Sequence, residues 1–276
     1  MIKSFSLFHC AYMQIPRRAI IDDNSWGKIR IPLLCGLIEH ERLGPILIDA
    51  PYGHEGPKNL GNVLGNLMRF TAIAFEERWS VVPRIEELGF RASEVDHLLM
   101  THLHYDHTGG MKTLAHAEFH ASQAEWEYAT ESSAKISAAR GYMQDDYLSL
   151  APKMKTYDGI PHLLETSKGL DLFGDGSVEM LFLPGHTPGH SVYRLHLQSG
   201  KKIFFLGDAA FTVGQLRGEE ALGFFPRAIA SSISGARTSL RAVERHIEEH
   251  PEDLLITSHD PILGARCIDK GPISWH

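Results

Sequence analysis

Between Met100 and Gly110 the chain reads MTHLHYDHTGG, placing three histidines and one aspartate in the six residues from His102 to His107. The apolar run HLLM, residues 97–100, leads directly into it. Imidazoles and a carboxylate that leave water need partners, because unpaired they cost free energy. Such a density of donors at the end of a short buried strand points to metal ions. His102, His104, Asp106 and His107 form an H-x-H-x-D-H pattern. In an extended segment His102 and His104 point to one side, since side chains alternate with period two, and both can bind one ion. A turn at Tyr105 would present Asp106 and His107 to a second ion a few ångströms away. Gly109 and Gly110 let the backbone turn tightly beyond.

Working outward, three further apolar strands end in metal-binding groups: LFLPGHTPGH at His186, IFFLGDA at Asp208 and LLITSHD at His259. Strand ends are rigid mounting points, and loops leaving one edge of a sheet sandwich converge there. His186 is assigned with His102 and His104 to the first ion, and His259 with Asp106 and His107 to the second. Asp208 is assigned between them, because a carboxylate has two oxygens to share. Imidazole and carboxylate together suit zinc, with iron, manganese or cobalt as chemical substitutes. Water held by such ions is acidified to a pKa of roughly 7, which makes it a nucleophile at neutral pH. His97, His116, His120, His190 and His196 are read as structural, with His190 placed to orient a ligand.

The surrounding sequence predicts a mixed fold. IRIPLLCGLIEH and GPILIDA, joined by the turn ERLG, read as a buried hairpin. Leu64, Leu67, Met68, Phe70, Ile73 and Phe75 form an imperfect helical stripe. VVPRIEELGF reads as a helix with Gly89 just past its end. Residues 123–143 read as one helix with Ser122 as N-cap, and Leu240, Val243 and Ile247 share a face of a later helix. Residues 144–168 carry no clear pattern.

Composition narrows the function. The 276 residues, 43% of them hydrophobic, suffice for a sizeable core, and a single domain over 1–276 is expected. A net charge of -7 and the lack of a basic run argue against nucleic acid. Three cysteines in no paired spacing fit a reducing compartment. The N-terminal stretch has no uninterrupted apolar region, and no window approaches eighteen apolar residues, so a cytoplasmic protein without a membrane span is expected. A homodimer is the default among soluble enzymes.

The motifs THLHYDHTGG, PGHTPGH, GDA and SHD, in that order, resemble the metallo-β-lactamase superfamily of binuclear metallohydrolases, and GPILIDA resembles its early strand ending at Asp49. The resemblance spans roughly Ile31 to Asp260. It implies an α+β fold, a four-layer αβ/βα sandwich of two mixed sheets with helices outside and the metals at one edge. Within the superfamily the chain is most similar to N-acyl homoserine lactonases and related lactonases. The implied reaction is lactone opening by a metal-bridging hydroxide, with Asp106 passing the proton to the leaving alkoxide. The apolar stretch about 58–80 is expected to cover the site, with Leu64, Met68 and Phe70 receiving an acyl chain beside Tyr105 and Phe211. Those lactonases typically carry a tyrosine three residues after the bridging aspartate, where this chain has Phe211. A phenol aimed at an oxyanion is worth ~2–4 kcal/mol. Tyr105 and Thr212 are the candidate substitute hydroxyls. The substitution keeps a second substrate class in view: another ester, a carbamate or amide, or a phosphoester. An iron redox role fits less well, because such members carry a glutamate where His104 stands and need a flavin partner domain.

Overall fold

The computed structural model describes residues 1–57, 72–166 and 168–276. β1 (Ile2–Pro16), β2 (Lys28–His40) and β3 (Gly44–Ile48) form an antiparallel run, the β2–β3 hairpin as expected from its two apolar segments. The chain then switches to parallel pairing through β5 (His97–Leu99), β6 (Glu118–Ser122) and β7 (Met154–Tyr157). β13 (Ile273–Trp275) and β4 (Ala72–Ala74) pair with successive parts of β1. The second sheet runs β12 (Leu254–Ile256), β11 (Lys202–Phe205), β10 (Ser191–His196), β9 (Val178–Phe182) and β8 (Leu170–Asp171), with only β11–β12 parallel.

The two sheets face each other across one apolar layer. Phe5, Leu34, Ile38, Ile46 and Leu99 of the first meet Met180, Tyr193, Leu195, Phe205 and Ile256 of the second, all fully buried. Helices cover the outer faces. α2 (Val81–Glu87) packs Val81 and Ile85 beneath the first sheet. α9 (Ile233–Glu249) packs Ala242 and Val243 on the second. Residues 31–38 of β2 are buried on both faces, which is why they read as an unbroken apolar run rather than an alternation. This is the αβ/βα sandwich that the family resemblance implies.

Two expectations fail locally. The helical stripe does not continue through Ile73, because Ala72–Ala74 is extended and hydrogen-bonds β1; pairing with the sheet overrides a weak period. Leu64, Met68 and Phe70 lie outside the described residues. The helix over 123–143 is two, α4 (Gln123–Thr130) and α5 (Ala134–Ala139), broken at Glu131–Ser133. Two consecutive serines there are poor helix propagators, and the Thr130 hydroxyl donates back to the Trp126 carbonyl at 2.7 Å. Gly89 takes φ +86° after α2, the left-handed closure its position predicts.

Candidate metal centre

The expected donors converge. β5 delivers His102, and the chain turns at His104 into α3 (Tyr105–Thr108), a single helical turn that aims Asp106 and His107 inward. His186 comes from the β9–β10 loop, Asp208 from the end of β11 and His259 from the end of β12. All seven side chains are buried.

His102 Nε2, His104 Nδ1 and His186 Nε2 form a triangle with edges of 3.1, 3.2 and 3.0 Å. Two nitrogens on one tetrahedral zinc lie about 3.3 Å apart at bond lengths of about 2.0–2.1 Å, so the triangle has the dimensions of a ligand set. Asp106, His107 and His259 form a second group with ligand atoms within 4.8 Å of one another. Asp208 stands between the groups. Its Oδ2 is 3.3 Å from His186 Nε2 and 3.1 Å from His259 Nε2, and its Oδ1 is 3.3 Å from His107 Nε2.

Two atoms test whether metal belongs here. His107 Nε2 and Asp208 Oδ1 are buried and face each other at 3.3 Å without an aligned hydrogen bond to any group, and an ion between them would satisfy both. The outer nitrogens agree. His259 Nδ1 donates to the Pro32 carbonyl at 2.8 Å; a carbonyl only accepts, so the proton sits on Nδ1 and Nε2 is left as the ligand atom. His107 Nδ1 donates to Asp49 Oδ2 at 2.8 Å. His102 Nδ1 donates to Thr101 Oγ1 at 3.0 Å, and Thr101 donates on to Asp49 Oδ2 at 2.8 Å. Asp49 thus orients both groups. It also holds φ +59°, the only non-glycine positive φ among the described residues, and such strain persists where surroundings demand it. The donor set fits two divalent ions.

Protonation divides the two groups. Burial, reinforced by neighbouring imidazoles, pushes His102 well below the ordinary histidine range. Burial brings His104 to about 3 and also depresses His186 well below that range, so these are neutral. For His107 burial acts downward too, but the Asp49 and Asp208 carboxylates outweigh it and raise the pKa. Asp208 and Asp106 do the same for His259. Burial raises Asp106 above the usual carboxylate range.

His190, read as an orienting residue, accepts the Asp208 backbone N–H at 3.0 Å through Nε2 and donates to the Leu183 carbonyl at 3.1 Å. It fixes the carboxylate's position without touching the donor groups' open side. Glu125, which the sequence presents only as an α4 residue, proves central. Its buried carboxylate accepts from Leu103 N (2.9 Å), Tyr142 Oη (2.9 Å), Thr187 Oγ1 (2.6 Å) and Gly189 N (3.2 Å). It therefore ties the His102–His104 segment to the His186 loop. S-x-x-E at 122–125 looks like a capping box. The Ser122 half forms, accepting Glu125 N at 3.1 Å, while the glutamate turns inward. The PGHTPGH loop is equally tight: a Cβ on Gly189 would lie 2.0 Å from Glu125 N, and one on Gly185 (φ +139°) 2.2 Å from Ala236 N.

Phe211 closes the centre from one side. Its buried ring lies 4.7 Å from that of His259 at 22°, edge-on to Phe225, and shares a small cleft with Tyr105, Asp106 and Asp208. Thr212 is not a substitute hydroxyl, because it donates to Glu220 and accepts Gln215 N as the cap of α7 (Val213–Leu216). The Tyr105 hydroxyl reaches Met13 Sδ at 3.8 Å. A groove of about 220 Å³ opens onto His104 and His186 between Tyr128, Arg140 and Ile229. A larger cavity of about 480 Å³ adjoins Tyr105, lined by Tyr52, Lys112 and Met143.

Known proteins are similar to this chain. A probable metallo-hydrolase of Mycobacterium tuberculosis is 31% identical over 251 residues, covering 87% of this chain and 78% of the relative. The N-acyl homoserine lactonase AttM of Agrobacterium fabrum is 29% identical over 180 residues, 65% of this chain and 64% of the relative. An N-acyl homoserine lactone hydrolase, solved with N-hexanoyl-L-homoserine bound at its catalytic metal centre, superposes with a TM-score of 0.75 at 18% identity over 97% of both chains. The Metallo-beta-lactamase superfamily pattern matches residues 34–258, and with that match this chain belongs to the superfamily.

Proposed function

We propose that this chain is a metal-dependent hydrolase that opens a lactone ring, with two zinc ions held by His102, His104 and His186 and by Asp106, His107 and His259, and with Asp208 shared. The observation that carries the reading is the buried pair His107 Nε2 and Asp208 Oδ1, which face each other at 3.3 Å without an aligned hydrogen bond at the junction of two ligand groups. The lactonase names of relatives support the substrate class. When bound, the ions supply an acidified water as nucleophile and polarise the carbonyl under attack.

The chain's own residues do the rest. His190 and Glu125 hold the ligand-bearing loops, so the donors need no rearrangement. Asp106, buried in the second group, is assigned to pass the proton to the alkoxide released by ring opening. Phe211 excludes water from the second group's flank and offers no hydroxyl. The groove beside Tyr128 and Arg140 receives the acyl portion of the substrate. Phe211 is also what favours a second reading, an ester, carbamate, amide or phosphoester as substrate, since no phenol stands at that position.

The test is turnover by zinc-loaded protein on short- and long-chain acyl homoserine lactones, an aromatic ester and a phosphodiester, each repeated with His104→Ala. Lactone turnover that the variant abolishes is the expected result. An enzyme that ignores lactones and cleaves the ester or phosphodiester overturns the substrate assignment.

A further inference from the structure

Among the described residues, one group outside the centre converges as ligands do: His97, Glu118 and His120. His97 opens β5 and Glu118 opens β6, directly opposite it in the parallel ladder. His120 lies two residues beyond Glu118 and so shares its face. His97 Nδ1 is 3.1 Å from His120 Nε2 and 3.6 Å from Glu118 Oε2, and the three ligand atoms lie within 4.8 Å of one another. His97 and Glu118 stand at N-terminal strand ends and His120 in the middle of β6, whereas the hydrolase centre stands beyond the C-terminal ends. The five residues from His97 to His102 span about 16 Å of extended chain, so the two places are separate.

The surroundings support ligation. Tyr157 Oη lies 2.7 Å from His120 Nδ1, so the phenol oxygen can accept the Nδ1 proton and leave Nε2 with its lone pair facing His97. That is the outer partner a metal-bound imidazole requires. The Phe173 ring lies 5.2 Å from that of His97 and 5.9 Å from that of His120, covering the group from the second sheet. His120 is buried, while His97 and Glu118 keep some exposure, leaving an approach for an ion and room for water. Lys155 pairs with Glu118 Oε2 at 2.7 Å but is half exposed, and exposed pairs are worth ~1 kcal/mol or less.

We propose that His97, Glu118 and His120 form a further divalent transition-metal site, with Tyr157 orienting His120 and water completing the coordination. Two imidazoles and one carboxylate select zinc among common cellular ions. The ion joins β5 to β6 beneath Phe173 and takes no part in hydrolysis; binding to the native state stabilises it by mass action.

Zinc itself is the probe, added to the metal-depleted full chain by equilibrium dialysis with metal analysis. His97→Ala is expected to bind one zinc fewer per chain than wild type and to keep its hydrolase turnover. Glu118→Gln, which changes shape least, is expected to lose the same ion if His97→Ala folds poorly. Lys155→Met, which removes the competing ammonium, is expected to bind that ion several-fold tighter. Equal zinc stoichiometry and affinity in wild type and the folded variants overturns the site. Ions at the hydrolase centre are common to all these proteins, so the difference is independent of the proposed reaction.

Discussion

Glu125→Gln is the most informative single change. The carboxylate accepts two donors on each oxygen: Leu103 N and Tyr142 Oη on one, Thr187 Oγ1 and Gly189 N on the other. An amide of the same shape must present its NH2 to one of these pairs. The hydroxyl of the pair can rotate and accept, but the backbone N–H cannot, so one buried donor is stranded whichever way the amide turns. An unsatisfied buried group costs ~1–3 kcal/mol, and losing the charge on the remaining bonds adds to it. A total of about 3 kcal/mol corresponds to a fall in Tm of about 6–12 °C for a domain of this size. Because the same carboxylate holds the His102–His104 segment and the His186 loop, zinc affinity is expected to weaken as well, by about 10–100-fold. Thermal unfolding and zinc titration of the purified variant read both. Unchanged Tm and unchanged affinity refute the clamp; a lower Tm with wild-type affinity restricts Glu125 to holding the fold.

Asp49→Asn should keep the backbone, since asparagine tolerates the left-handed region. It loses the carboxylate that His107 and Thr101 share, so zinc binding about 10–100-fold weaker is expected by competition with a chelating dye. Chelation of wild-type protein should lower Tm and zinc should restore it, because an ion at 1,000 times its Kd contributes about 4 kcal/mol; a Tm indifferent to chelator counts against the metal reading. The fourth prediction concerns pH. Burial, then the Arg84 charge, brings His9 down to about 3. The folded state stays neutral there while the unfolded chain takes up a proton below pH 6.5. This contribution is full above 6.5 and falls by about 1.4 kcal/mol per pH unit below it. Urea titrations at pH 6.5 and 5 should therefore show a smaller loss in His9→Phe than in wild type, and equal losses refute the assignment.

The convergence of donors is legible because ligand chemistry leaves a local trace. His102 to His107 sit in six residues, and His186, Asp208 and His259 each follow an apolar strand. Alternation and one turn pair His102 with His104 and Asp106 with His107, and the structure brings His186, Asp208 and His259 beside them. What supports the donors left far less trace. Glu125 lies at a position where a capping glutamate is ordinary, and its four partners come from three other segments, so only tertiary structure redirects it. Asp49 is marked by its place at a strand end, but its link to His102 through Thr101 depends on side-chain geometry. The break at Glu131–Ser133 shows the limit of periodicity, since two serines decide whether one helix or two forms. His97 and His120 look like ordinary core histidines one at a time; the ladder register brings them together.

The steric closure of the PGHTPGH loop bears on how this enzyme can evolve. Gly185 and Gly189 have no room for a Cβ, so the loop bearing His186 is closed to drift on that side, whatever the substrate. Among the described residues, the facing wall is open to change, where Tyr128, Arg140 and Ile229 border the groove and Phe225 borders the adjoining cleft. A library confined to those four positions would sample substrate range while leaving the metal chemistry intact.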